Sequence, residues 1–190
     1  GASFNYDDYR ENFNDSAFAR EEVVPGAFAE YTFRIKTKFS AVAGFRFDHN
    51  SIYGSFYTPR LHLKYNPTEN TVLRLTGGRG YRAANVFTES AALMASSRSV
   101  NVLETLKAEV SWNYGVSASH KFKILGREAS VYASFYRTDF ENQVVVDWEN
   151  PQEISFYDLD GKSIANSFQV EVSYNLAENF NLRTAYKYFD

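Results

Sequence analysis

Apolar and polar side chains alternate at every second position through most of this chain. In residues 38–48, the positions on one face are Phe39, Ala41, Ala43, Phe45 and Phe47, and those on the other are Ser40, Val42, Gly44, Arg46 and Asp48. A period of two is that of a β-strand whose two faces contact different surroundings. The same pattern recurs in residues 57–65, 113–119 and 168–175, so we predict an all-β protein.

The strands that this alternation predicts are long. About nine are expected, at residues 1–9, 25–35, 38–49, 56–66, 70–80, 107–121, 127–140, 159–176 and 179–190. Most have about ten residues or more, which is the length that crosses a bilayer at a tilt, whereas strands of soluble proteins have ~5–6 residues. The sequence therefore predicts a segment of an antiparallel, up-and-down transmembrane β-barrel.

The connections between these strands alternate in length. The short ones are residues 36–37, 66–69, 123–126 and 177–178, and the longer ones are residues 10–24, 50–55, 81–106 and 141–158. Outer-membrane barrels have short periplasmic turns and longer outer loops, so this order predicts that the odd-numbered strands run outward. Within the loop at 81–106, the apolar run Ala91–Ala95 predicts a short helix.

Aromatic residues make up 17% of the chain and lie near the predicted strand ends. Phe33 and Phe39 flank one short turn, and Phe47 and Tyr57 flank an outer loop. Such rings match the aromatic girdles at the two membrane interfaces. A soluble sandwich or lipocalin-like barrel would show the same alternation with its apolar face turned inward, but its strands are shorter and its core uses fewer small residues such as Ala41.

The composition argues against several other classes of protein. Mean hydropathy is −0.42, and no apolar run approaches the ~18 residues of a transmembrane helix. The net charge of −3 and the lack of a basic block predict no nucleic-acid binding.

The histidines, His49, His62 and His120, have no second ligand at metal-binding spacing. The run Gly77-Gly78-Arg79-Gly80 is not a phosphate loop, and we interpret its glycines as relieving crowding or allowing bending in the barrel wall. We therefore expect no enzyme, no catalytic residue, no metal site and no cofactor.

A series of short stretches runs through the chain in a specific order. They are Pro59-Arg60-Leu61, Tyr65-Asn66-Pro67, Thr71-Val72-Leu73-Arg74, Gly78-Arg79-Gly80-Tyr81-Arg82-Ala83, Leu106-Lys107-Ala108-Glu109 and Phe135-Tyr136-Arg137-Thr138-Asp139-Phe140. Together they resemble TonB-dependent outer-membrane receptors of the Bacteroidetes type. Ala84 and Ala108 stand where that family more often has proline. Each stretch is short, but their order and spacing cover nearly the whole chain.

The resemblance implies a barrel of about 22 strands with a plug domain in its lumen. Residues 1–190 would then be a middle-to-late fragment of the barrel, with the plug domain absent from this chain. The implied function is active uptake of a scarce ligand, energised by a TonB-type protein that acts through the missing N-terminal part. Iron–siderophore chelates are the commonest ligand of the resembled family, and cobalamin and glycans are alternatives.

The charged positions on the polar side of the strands are assigned to the barrel lumen. They include Arg46, Arg60, His62, Lys64, Arg74 and Glu171. An Arg or Lys that faces lipid near the bilayer midplane costs ~2–4 kcal/mol, whereas one that faces a wet lumen or a polar plug costs little. We predict that these residues face the lumen and the plug, and that the opposite face contacts outer-membrane lipid.

Ligand-binding residues are expected in the outer loops. The loops at 81–106 and 141–158 supply Tyr81, Arg82, Asn85, Phe87, Arg98 and Trp148. Exposed aromatic rings beside Arg and Asn can hold a bulky polar ligand such as a metal chelate. Packing of the loops against each other is the structural alternative for any one of these residues.

Two other functions are compatible with the same alternation. The chain could close on itself as a small outer-membrane barrel that acts as a passive pore or structural anchor. It could also be a soluble ligand-binding β-barrel, in which case Phe45, Leu63, Val116 and Val170 would converge in a dry interior. The direction in which the apolar side chains point distinguishes this last alternative from a membrane protein.

Overall fold

The computed structural model describes residues 1–13, 16–96, 98–102 and 106–190, and within these ranges the side chains of residues 11–13, 16–18, 87, 93 and 94 are not described. The described part forms a nine-stranded sheet in the order β1-β2-β3-β4-β5-β7-β8-β11-β12. Its strands are β1 (Ala2–Phe13), β2 (Ser16–Ile35), β3 (Phe39–Asn50), β4 (Gly54–Thr68), β5 (Thr71–Arg82), β7 (Glu109–Ile124), β8 (Arg127–Asn142), β11 (Ser163–Ala177) and β12 (Phe180–Phe189). All neighbouring strands of this sheet are antiparallel, as predicted.

A second, smaller sheet lies in the long connections. It has the order β6-β10-β9, in which β10 pairs parallel with β6 and antiparallel with β9. The bounds are β6 (Ser99–Val102), β9 (Val144–Asp147) and β10 (Glu153–Asp158), and two single-turn helices precede them, α1 (Val86–Glu89) and α2 (Ala91–Met94). Helix α2 confirms the helix predicted at this position. Among the described residues, no helix is long and apolar enough to cross a membrane.

The register of the large sheet places all the alternating apolar positions on one side. Phe45 lies opposite Pro59 on one neighbouring strand and Ala29 on the other. Val116 lies in the same way between Leu75 and Phe135. Side chains directly opposite one another in a ladder point to the same face. Following these pairings from strand to strand therefore places all of these apolar positions on one face of the sheet. We call this side the apolar face and the other the polar face.

The apolar face is exposed. Phe45 retains 50% of its accessible surface, Leu75 51% and Val116 49%. A soluble barrel or sandwich would bury these side chains against a second layer, and none covers them in the described part of the chain. The exposure agrees with strands that meet lipid on this side, and it removes the soluble-barrel alternative.

Two glycines of the polar face make room for large side chains on the neighbouring strand. Gly44 lies opposite Arg60, and a Cβ at position 44 would be 2.7 Å from the arginine Nε. Gly115 lies opposite Tyr136, and a Cβ there would collide with the tyrosine ring. At both positions a larger residue would fit only if the side chain of Arg60 or Tyr136 moved.

The large sheet is open, with β1 and β12 as its two edges. A small self-contained barrel would require hydrogen bonds between these strands, and no such pairing exists in the described residues. An open sheet of long strands is what a segment of a larger barrel provides.

Several predicted boundaries were wrong. The largest error is the loop predicted at residues 10–24, because β1 and β2 pair without interruption from Ala2–Ala27 to Phe13–Ser16. Beyond the membrane both faces of a hairpin are wet, so its sequence loses the alternation that identified the other strands. The turn predicted at 66–69 lies instead at residues 69–70, after a register shift between Tyr65 and Thr68.

Adjacent residues in the middle of β11 offer a test of the orientation of the two faces. We expect Phe168→Arg to lower the unfolding free energy of the lipid-embedded barrel by ~2–4 kcal/mol, because the exposed ring of Phe168 lies on the apolar face. The matched variant Gln169→Arg places the same cation on the polar face and should change the free energy little. Denaturant titration in liposomes measures both variants, and equal losses would contradict the assignment.

Candidate functional site

A groove lies on the polar face near the edge of the sheet that carries the long connections. Its volume is about 550 Å³, and its charged and polar lining residues include Arg46, Asp48, Thr58, Arg60 and Tyr81. Two of these, Arg46 and Arg60, were predicted to face the lumen. Arg79 also lines the groove, which therefore combines three cations with the ring of Tyr81 beneath the long connections.

Arg46 is held in place by two polar contacts on this groove wall. Its Nε lies 2.6 Å from Oδ2 of Asp48, and its Nη2 donates to the Ser3 hydroxyl at 2.8 Å. Asp48 is only 1% exposed, so its charge needs the arginine as a partner. Gly26 permits this arrangement, because a Cβ at position 26 would collide with the Asp48 carboxylate.

The other lumen-assigned residues also lie on the polar face. Arg60 pairs with Glu30, and Arg183 Nε lies 3.1 Å from Glu171 Oε1. Lys64 and Arg74 are directly opposite one another on β4 and β5, and neither has an acidic partner in the described part of the chain. Like charges in opposite positions destabilise a sheet, so this pair is suited to an anionic group that the described residues do not supply.

His62 lies on the same face, beside this cation pair. It is opposite Thr76 on β5, two positions from the Lys64–Arg74 pair. Its side chain is exposed, as are those of Lys64 and Arg74. The part of the polar face away from the long connections is therefore basic and open.

Tyr81 and Arg82 lie where β5 leaves the regular ladder. The β4–β5 pairing ends at Arg60–Gly78, after which the Tyr81 ring stacks on Phe56 with ring centroids 3.9 Å apart. Phe56 belongs to the polar face, whereas Tyr81 has the parity of the apolar face. The change of side follows the glycine-rich run, which was predicted to relieve crowding or to allow bending in the barrel wall.

Arg82 connects the end of β5 to the helical segment. It pairs with Glu109 at the start of β7, and its Nη1 lies 2.9 Å from Oε2 of Glu89 in α1. The hydrogen bond to Glu109 and the nearby carboxylates hold the pKa of Arg82 above its usual value. Asn85 precedes α1, and its backbone N–H donates to Glu89 Oε1 at 3.1 Å. The side chain of Phe87, in the same helix, is outside the described residues.

A buried polar network, which was not predicted from the sequence, links the β1–β2 hairpin to the connections that follow β3 and β5. Arg20 Nε lies 2.7 Å from Glu22 Oε1, and Arg20 Nη1 donates to the Ala84 carbonyl oxygen at 2.9 Å. Glu22 Oε2 also accepts from Asn50 Nδ2 at 2.8 Å. These residues were assigned to separate loops, and their separation of up to 64 positions left no local signal.

The small sheet encloses a hydrophobic core of its own. We call the segments that form this sheet, residues 98–102 and 144–158, the outer unit. Ile154 and Phe156 are 1% and 0% exposed, and Val100, Val144 and Val146 pack against them. This packing brings Arg98 to the other long connection, where its Nη1 donates to the Trp148 carbonyl oxygen at 3.0 Å. The indole of Trp148 is 55% exposed.

The structure thus separates the predicted ligand residues into two groups. Arg98 and Trp148 meet on the surface of the outer unit, whereas Tyr81, Arg82 and Asn85 support the connection between β5 and α1. Within the described residues, no group of three His, Cys, Asp or Glu side chains could hold a metal ion.

Comparison with known proteins identifies related sequences and structures. The sequence model of the family "TonB dependent receptor-like, beta-barrel" matches residues 1–190. A ferric enterobactin receptor of Pseudomonas aeruginosa is 26% identical over 147 residues, which cover 70% of this chain and 18% of the relative.

Solved structures share the fold. The siderophore receptor PirA of Pseudomonas aeruginosa superposes with a TM-score of 0.69 at 18% identity, over 90% of this chain and 32% of that one. The siderophore receptor PirA of Acinetobacter baumannii gives a TM-score of 0.67 at 15% identity, over 89% of this chain and 28% of that one. The chain spans between about a fifth and a third of the length of these relatives.

The core of the outer unit can be tested separately from the barrel wall. We expect Phe156→Ala to destabilise the outer unit by ~3–5 kcal/mol, because it removes a fully buried ring. Limited proteolysis should then cut residues 98–102 and 144–158 faster while the large sheet stays protected. Val102→Ala, at a side chain that is 42% exposed, is the control. Unchanged cleavage in Phe156→Ala would show that the small sheet is not a packed unit.

Proposed function

This chain belongs to the TonB-dependent receptor-like β-barrel family, and from this membership we propose that its protein takes up an iron–siderophore chelate across the bacterial outer membrane. Proteins of this family reside in the outer membrane, so the apolar face contacts lipid and the polar face lines the lumen. The long connections then lie on the extracellular side. We assign residues 1–190 to the barrel wall, with the plug domain supplied by another part of the protein.

The observation that carries the proposal is the charge on the polar face. Arg46 and Arg60 line the extracellular groove, and Lys64 and Arg74 lie deeper without acidic partners among the described residues. Ferric chelates of catecholate ligands are anionic, so the guanidinium groups of the upper groove, although Arg46 is paired with Asp48 and Arg60 with Glu30, attract such a ligand toward the lumen. The lower pair is suited to carboxylates of a plug domain.

The outer unit is the proposed first contact for the ligand. Trp148 offers an exposed aromatic surface, and Arg98 fixes the segment that carries it. Tyr81, Arg82, Asn85 and Phe87 lie along the connection between the barrel wall and this unit. A TonB-type protein would then release the ligand inward by acting on the plug. Cobalamin and glycans are the alternative ligands, and the names of the relatives favour iron chelates over both.

Uptake by whole cells tests the proposed activity. Cells that express the full-length protein should accumulate labelled ferric enterobactin, and cells without the gene should accumulate it only at the level of passive leakage. Dissipating the proton gradient should abolish the difference, because the uptake is energised. Equal accumulation in both strains would refute the iron assignment, and uptake that survives dissipation would favour a passive pore.

A double variant tests the ligand contact on the outer unit. We expect Arg98→Ala with Trp148→Ala to weaken binding of ferric enterobactin about tenfold, which is typical for loss of an aromatic and arginine contact. Fluorescence titration of the purified receptor measures the dissociation constant. Glu149→Ala, next to Trp148 on the same unit, is the matched control. An unchanged dissociation constant in the double variant would assign Arg98 and Trp148 to loop packing.

A further inference from the structure

A group of charged residues lies on the lipid-facing side of the barrel wall, near its extracellular end. Arg137 is opposite Tyr114, and Asp139 is opposite Trp112. Each of these positions lies on the same face of the sheet as Val116 and Phe135, which we assign to the lipid side. A charged side chain on this face would be costly within the hydrocarbon layer, so the group marks a level outside it.

The spacing along β8 supports this level. Arg127 and Arg137 lie on the same face, and only Ala129, Val131, Ala133 and Phe135 lie between them on that face. About ten residues at ~3.3 Å each, tilted by ~40°, rise ~25 Å, which equals the height of the apolar band of such barrels. Arg127 therefore lies at the periplasmic boundary of the hydrocarbon layer, and Arg137 lies at the extracellular boundary.

The carboxylates at the extracellular boundary are held by arginines. Arg79 Nη2 lies 2.6 Å from Glu141 Oε2, and the Trp112 indole N–H donates to Glu141 Oε1 at 3.0 Å. The hydrogen bond from Arg79 lowers the pKa of Glu141, so this residue remains ionised. Asp139 Oδ1 lies 2.7 Å from Arg137 Nε. Only one nitrogen of the Arg137 guanidinium is engaged in this way in the described part of the chain.

A groove opens to the lipid side between these residues and the start of β11. Its volume is about 610 Å³, and its lining includes Trp112, Arg137, Asp139, Glu141, Lys162 and Ile164. Lys162 is exposed and has no acidic partner among the described residues. Ile164 is 45% exposed and continues the apolar face toward Phe168. The groove thus has two cations and two carboxylates at its extracellular end and an apolar surface below them. Asp139 is paired with Arg137 and Glu141 with Arg79, so the ammonium of Lys162 and the remaining nitrogens of Arg137 are the groups open to an anion.

We propose that this groove binds the phosphorylated sugar headgroup of an outer-leaflet glycolipid, that is, lipopolysaccharide. The free guanidinium nitrogens of Arg137 and the ammonium of Lys162 hold a headgroup phosphate, and the ring of Trp112 packs against the sugar. The acyl chains lie along Ile164 and the lipid-facing side chains below it. A soluble phosphate or an anionic peptide would use the cations but not the adjoining apolar surface.

Binding of lipopolysaccharide to the detergent-solubilised full-length receptor tests the site. We expect Arg137→Ala with Lys162→Ala to weaken binding of rough lipopolysaccharide about tenfold, which corresponds to about 1.4 kcal/mol. Arg127→Ala, on the same strand and face at the opposite boundary, is the matched control and should leave the affinity unchanged. Asp139→Asn should strengthen binding, because it removes a negative charge beside the proposed phosphate.

The outcomes distinguish the proposal from general effects on the barrel. Equal affinity for lipopolysaccharide whose lipid phosphates have been removed would overturn the proposal, as would equal losses in the Arg137 and Arg127 variants. If the double variant assembles poorly, Lys162→Glu alone reverses an exposed charge and should still weaken binding. Uptake of ferric enterobactin is measured separately, so failure of the glycolipid site would leave the proposed transport function intact.

Discussion

The structure depends on the requirement that every backbone hydrogen-bonding group inside a bilayer find a partner in the protein. Long antiparallel ladders meet that requirement, and they also fix the side to which each side chain points. Once Phe45 faces lipid, its cross-strand neighbours Pro59 and Ala29 must face lipid as well. The sorting of apolar and charged residues between the two faces is therefore a property of the whole sheet rather than of any one strand.

This constraint explains which parts of the fold could be predicted from the sequence. Within the membrane the two faces meet different solvents, so the alternation is clear there. The strand predicted at 38–49 agrees with β3 to within one residue at each end, and the strand predicted at 159–176 agrees with β11 to within one residue at its C-terminal end, although β11 begins four residues later. Outside the membrane both faces are wet, and the β1–β2 hairpin continues to Phe13–Ser16 without any alternation that could reveal it. The loss of prediction accuracy thus coincides with the loss of lipid contact.

The outer unit and the buried network around Arg20 could not be predicted for a different reason. Their stability comes from contacts between separate connections, such as β10 beside β6 and Arg20 beside Ala84. Residues 141–158 were predicted to be a loop, and the sequence contains no signal for the partners of the strands that form there. The grouping of the predicted ligand residues could not be predicted for the same reason, because the proximity of Arg98 to Trp148 depends on how these connections pack.

The two faces of the wall also explain why charged pairs have different meanings in different places. On the polar face, Arg60 with Glu30 and Arg183 with Glu171 are exposed ion pairs, so pairing there contributes little to stability. On the lipid side, Arg137 with Asp139 can exist only where the hydrocarbon layer ends. In the arrangement proposed above, a charged residue on the lipid-facing side of a strand marks a boundary of the hydrocarbon layer, and Arg127 and Arg137 on β8 mark its two boundaries.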